Sequence, residues 1–192
     1  MRRLFLDMDG VITDFMGAAM KHYNIPQDTV FTKGVWDTTP KMAEIKGITV
    51  NQFWRGLTVD FWAKMPRTQF AGLMLQITKE YFGTNVCLLT SPADEISAHG
   101  KMLWIKEYLP EFYRDGRFCL NRNKRFLASK DALLIDDRDK NIDEFRGAGG
   151  KAILYPTPFN SQYPIGCYPE EAWKDFSLEF MKVSQVMHMV QA

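Results

Sequence analysis

Acidic and hydroxyl residues occur in three short clusters, each directly after an apolar run. The run at 4–6 leads into Asp7 and Asp9, the run at 86–89 into Thr90 and Ser91, and the run at 132–135 into Asp136 and Asp137. In an open parallel sheet, ligands gather beyond the carboxyl ends of the strands. Clusters spread from residue 7 to residue 137 are therefore expected to meet at one place. Four carboxylates meeting there repel one another, and a divalent cation or unusual protonation is needed to hold them. An all-oxygen ligand set favours a hard ion, Mg²⁺. Thr90 and Ser91 suit a helix cap, a role compatible with phosphate binding at the same helix N-terminus. Taken singly, each cluster has a plainer reading. Asp-x-Asp-Gly is a turn, Thr90-Ser91 a cap, Asp136-Asp137-Arg138 a solvated loop, and Lys124 a surface lysine. Their joint order is what carries the specificity.

The elements that must position these clusters follow from periodicity. Short apolar runs at 4–6, 86–89, 132–135 and 152–155, with a weaker one at 118–120, alternate with helical patterns. That alternation is the signature of an α/β protein with a mostly parallel sheet. Thr68 is expected to cap a helix reaching Phe82, with Gly83 as its stop. Ser91 is expected to cap a second helix, with Pro92 at its first position and Asp94 in its first turn. From Pro169 on, Trp173, Phe176, Phe180, Val183, Met187 and Val190 recur at alternating spacings of three and four, an amphipathic helix packed on the core. The stretch 14–66 is rich in aromatics and has no convincing strand, and Thr49 with Gln52 reads as a capping box. It is expected to form a small helical cap inserted after the first strand, with 1–13 and 67–192 making the α/β core.

Composition narrows the function classes. The chain has 192 residues, 24 Lys+Arg against 23 Asp+Glu, and a formal net charge of +1. A polynucleotide-coating protein would need a basic excess that is missing here. With 46% hydrophobic and 24% charged residues the composition is that of a globular chain and argues against disorder. No uncharged apolar stretch approaches the ~18 residues of a membrane span. The early carboxylates leave no signal-peptide core. Cys87, Cys119 and Cys167 are odd in number and far apart, so reduced thiols in a cytoplasmic protein are expected rather than a structural zinc site. His22, His99 and His188 lie in none of the clusters, which disfavours a histidine-based hydrolase.

The segments FLDMDGV, LLTSP, the lysine in NRNK, and LLIDDRDKNI, in that order, resemble the haloacid dehalogenase superfamily of phosphatases. Within it the chain is similar to the 5′(3′)-deoxyribonucleotidase family, which carries D-M-D-G-V-x-x-D-F, T-S-P, R-x-K and L-L-I-D-D in the same sequence order. The resemblance implies a Rossmann-like parallel sheet with a small cap. It also implies a Mg²⁺-dependent phosphatase of nucleoside 5′-monophosphates, deoxyribonucleotides preferred, working through an aspartyl-phosphate. Asp7 would be the nucleophile and Asp9 the general acid and base. Mg²⁺ would be held by Asp7, the Asp9 backbone carbonyl and Asp137, with Asp136 beside Asp137 as its support. Thr90, Ser91 and Lys124 would hold phosphoryl oxygens. Phe15 stands where the family places a base-stacking phenylalanine, Trp54 falls close to a family tryptophan, and Trp36 is a further candidate. The plainer reading of all three is core packing in the cap. The implied partner is a small nucleotide, not nucleic acid or a membrane, and a homodimer is an assembly left open. The alternatives are a phosphatase of another small phosphate ester, a phosphatase of nucleic-acid 3′ ends, and a non-catalytic phosphate- or metal-binding module. The last would be expected to lack Asp9 or Lys124.

Overall fold

The computed structural model describes residues 2–26, 29–30, 35–161 and 169–189. Cys167 and Val190, named above, lie outside them. The five apolar runs form β1 (Arg3–Leu6), β2 (Val86–Thr90), β3 (Phe118–Leu120), β4 (Ala132–Asp136) and β5 (Lys151–Leu154). All pair in parallel, in the order β3-β2-β1-β4-β5. Alternate residues serve opposite faces. Leu4, Leu6, Leu88, Leu133, Ile135 and Ile153 enter one buried cluster, and Phe5, Leu89, Leu134, Ala152 and Leu154 enter the other. A sheet buried on both faces needs unbroken apolar strands, which explains the runs.

Between β1 and β2 come α1 (Phe15–His22), α2 (Thr39–Lys46), α3 (Val50–Gly56), α4 (Val59–Ala63) and α5 (Ala71–Phe82). After β2 come α6 (Glu95–Tyr108), α7 (Pro110–Arg114), α8 (Asp139–Gly147) and α9 (Pro169–Met189). Among the described residues no helix is long and apolar enough to cross a membrane. The capping box at Thr49 and Gln52 forms as expected, and Gly83 ends α5 at φ +55°.

Two expected caps are corrected. Thr68 does not cap α5. Its hydroxyl donates to the Val11 carbonyl at 2.7 Å, tying the lead into α5 to the loop after β1, and the helix begins at Ala71 with no side-chain cap. Ser91 does not cap α6. Its hydroxyl donates to the Asn121 carbonyl at 3.2 Å, and the helix starts after Asp94, which forms a reciprocal capping box with Ser97. That box satisfies two orphan donors where Ser91 alone would satisfy one. Residues 91–93 are thereby left as a loop over the end of β2.

The strand order reverses beside β1, so the carboxyl ends of β1 and β4 flank the switch point. The register pairs Leu6 with Ile135, and the Asp7 amide donates to the Ile135 carbonyl at 2.9 Å. Asp7 therefore comes level with Asp136.

Candidate active site

Asp7, Asp136 and Asp137 each offer a carboxylate oxygen, and these atoms lie within 4.8 Å of one another. All three residues are buried. Lys124, also buried, reaches in from the turn after β3, with its Nζ 2.7 Å from Asp7 Oδ1 and 2.5 Å from Asp136 Oδ2. Asp7 Oδ1 also accepts from the Met8 amide at 2.8 Å. Asp136 Oδ1 accepts from the Arg138 amide and from Asn141 Nδ2. Asp136 is thus saturated by donors. Asp137 differs: its Oδ2 accepts from the Trp36 indole at 3.3 Å, while its buried Oδ1 has no partner.

Charge crowding shows in the proton affinities. Burial, Asp136 and Asp9 push the Asp7 carboxyl up to about 7, against the pull of Lys124. Burial, then Asp136 and Asp7, raise Asp137 well above the ordinary carboxylate range. Burial alone would lower the Lys124 ammonium, but Asp136 and Asp7 outweigh it and raise it. One lysine does not balance three buried carboxylates. A divalent cation fits here: Asp7, Asp136 and Asp137 form a hard-oxygen triad that could hold one, and the buried Asp137 Oδ1, without a hydrogen-bond partner, would be a ligand atom. Gly10 makes the close approach possible. At its φ of +81°, a Cβ would lie 2.2 Å from Asp137 Oδ2.

Asp9 was expected to join the same carboxylate cluster, but its side chain turns elsewhere. Its Oδ2 pairs with Lys101 Nζ, and its Oδ1 accepts from the Thr13 hydroxyl at 3.2 Å. A second buried lysine answers the fourth carboxylate. Thr90 is buried and its hydroxyl accepts from Lys101 at 2.8 Å, whereas Ser91 is half-buried and lines the cleft.

The cleft over these groups has a volume of about 540 Å³ and includes Asp7, Asp9, Asp137, Lys124, Phe15, Trp36, Trp54 and Trp62 in its lining. Phe15 stacks at 5.8 Å on Trp54 and 5.2 Å on Trp62, the three rings nearly parallel, with Phe61 edge-on. It is both packed among the aromatic rings of α3 and α4 and part of the cleft wall. Trp36 is engaged by Asp137 on its indole N–H and by the Arg138 guanidinium, 4.3 Å from its ring.

Lys101 and Trp62 were not among the expected site residues, and neither was Asn160, whose amide braces the Asp137 and Tyr155 carbonyls. A signal for Lys101 existed. Ser97, Gly100, Lys101, Trp104 and Ile105 share the buried face of α6, and a lysine on an otherwise core-facing stripe calls for a partner.

Comparison with known proteins agrees with this geometry. The model of the family described as 5′ nucleotidase, deoxy (pyrimidine), cytosolic type C protein (NT5C) matches residues 1–185. A protein of Staphylococcus epidermidis, provisionally named 5′(3′)-deoxyribonucleotidase, is 26% identical over 96% of this chain and 98% of its own. The structure of CbbY from Rhodobacter sphaeroides in complex with phosphate superposes with a TM-score of 0.52 at 12% identity, covering 88% of this chain and 92% of that one. YfnB of Bacillus subtilis, provisionally described as a HAD-hydrolase and bound to magnesium, gives 0.52 at 15% identity, covering 88% and 90%. At such identities these structures establish the haloacid dehalogenase fold.

Proposed function

This chain belongs to the cytosolic type C family of deoxy-5′-nucleotidases, and on that premise we propose that it hydrolyses nucleoside 5′-monophosphates, deoxyribonucleotides preferred, with Mg²⁺ at the carboxylate centre. The observation that supports it best is a single cleft joining a buried acid centre to an aromatic wall. Its 540 Å³ suits one small ligand rather than a polymer. The near-neutral net charge of +1 supplies no track for a polynucleotide.

Mg²⁺, when bound to Asp7 and Asp137, would offset phosphoryl charge as a Lewis acid. Asp7 Oδ1 is held by Lys124 and the Met8 amide, so Oδ2 is the oxygen left to attack phosphorus. As the Asp7–phosphorus bond forms, the bond to the ribose oxygen breaks, and Asp9 gives its proton to the departing oxygen. Water then attacks phosphorus and returns a proton to Asp9, the Asp7–phosphorus bond breaks, and phosphate leaves. Lys124, Ser91 and Thr90 would stabilise the phosphoryl oxygens through both steps. The family's description as cytosolic supports a cytoplasmic location.

Base stacking on an aromatic side chain is worth roughly 1–3 kcal/mol. Phe15→Ala should therefore weaken kcat/KM for a nucleotide by about 5- to 150-fold and barely change hydrolysis of an aryl phosphate. Equal losses on both substrates would make Phe15 purely structural and remove the nucleobase from the aromatic wall.

A further inference from the structure

We propose that Lys101 is a positioning residue that, anchored on Thr90, sets how Asp9 presents its free oxygen to the substrate, an inference that rests on the nucleotidase reading. Lys101 is fully buried on α6, where burying an ammonium is costly unless every donor is used. Its Nζ meets Asp9 Oδ2, Thr90 Oγ1 at 2.8 Å and the Ser91 carbonyl at 3.4 Å. It also lies 5.2 Å from the centre of the Trp62 ring in the aromatic wall. The α4–α6 contact clamps this arrangement. A Cβ on Gly100 would lie 2.3 Å from Trp62 Cβ and 2.7 Å from the Val59 carbonyl, so only glycine admits α4 this closely.

An ammonium has three donors and no acceptor. All three oxygens it meets, Asp9 Oδ2, Thr90 Oγ1 and the Ser91 carbonyl, must therefore accept. The proton that Asp9 delivers then resides on Oδ1, the oxygen held by Thr13. Thr90, buried beside Lys101 at the end of β2, serves as the second acceptor that fixes where the ammonium sits. In the first step the Oδ1 proton passes to the ribose oxygen as its bond to phosphorus breaks and the Asp7–phosphorus bond forms. In the second step Oδ1 takes a proton from the attacking water as the Asp7–phosphorus bond breaks. Lys101 gives up no proton in either step. Its task is to keep Asp9 in one rotamer, with one oxygen always anchored.

The test compares first-turnover rates of Lys101→Met on deoxythymidine 5′-monophosphate and p-nitrophenyl phosphate. A well-placed general acid contributes about 10²- to 10⁴-fold, and misplacing it should cost the nucleotide about 10- to 100-fold. The aryl phosphate, whose leaving group departs without a proton, should lose less than about threefold. Added to Asp9→Asn, Lys101→Met should cost less than about twofold more, because residues acting as a unit are not additive. Equal losses on the two substrates, or losses that multiply in the double variant, would overturn the proposal. If Lys101→Met does not fold, as judged by near-UV circular dichroism, Lys101→Gln must show the same pattern. A wild type that cleaves the aryl phosphate but no nucleotide contradicts the nucleotidase reading alone. The same variants are then compared on ribose 5-phosphate, whose alkoxide needs the same proton.

Discussion

Asp7→Asn is expected to lower turnover of a deoxyribonucleoside 5′-monophosphate about a thousandfold or more while leaving the protein folded. Asparagine keeps the shape of the side chain, so the register between β1 and β4 need not change. Its amide oxygen can still accept from Lys124 and the Met8 amide, the two donors that hold Oδ1. The group left facing phosphorus is then an amide nitrogen, which is no nucleophile and a poor ligand for a cation. Lys124 keeps its 2.5 Å pair with Asp136, so no buried charge is stranded. Removing a carboxyl that burial and its neighbours push up to about 7 relieves crowding, and the melting temperature should hold or rise. Phosphate release and a thermal melt check both halves. More than about a tenth of wild-type activity would remove Asp7 from the nucleophile's role.

Asp137→Asn should raise the half-saturating Mg²⁺ concentration by about a hundredfold, whereas Asp136→Asn should lower kcat with a much smaller effect on the Mg²⁺ requirement. The two acids are neighbours in sequence and differ in partners. Asp137 Oδ1 is buried without a hydrogen bond. The oxygens of Asp136 are taken by Lys124, the Arg138 amide and Asn141. A cation entering the triad finds its free valence on Asp137, while Asp136 chiefly holds Lys124 in place. Mg²⁺ titrations of activity, alongside cation-induced shifts in melting temperature, distinguish the two. The reverse order would make Asp136 the ligand and Asp137 the support.

Much of this architecture is legible in the residues themselves. Parallel strands buried on both faces must be nearly all apolar, so β1, β2, β4 and β5 stand out in the sequence, each broken where polar groups begin. Aspartates at the ends of β1 and β4 are brought together by strand order, so Asp7, Asp136 and Asp137 converge from distant positions. Local competition is harder to read. Ser91 and Asp94 are both good caps, and the reciprocal bond with Ser97 decides for Asp94. Thr68 is drawn from its expected cap by the Val11 carbonyl, a partner 57 residues away. The orientation of Asp9 is hidden for the same reason, because it depends on Lys101, 92 residues further on. The aromatics of α1, α3 and α4 carry two meanings in one residue type. Phe15 packs on Trp54 and Trp62 and also faces the cleft, which spacing alone does not separate.

Phosphate release from a panel of ribo- and deoxyribonucleoside 5′-monophosphates, sugar phosphates and a short oligonucleotide, with Mg²⁺ and with excess chelator, bears most directly on the nucleotidase reading. Deoxyribonucleoside 5′-monophosphates should be the best substrates, the oligonucleotide should be neglected, and chelation should abolish activity. A sugar phosphate outcompeting every nucleotide, or full activity in chelator, would contradict it.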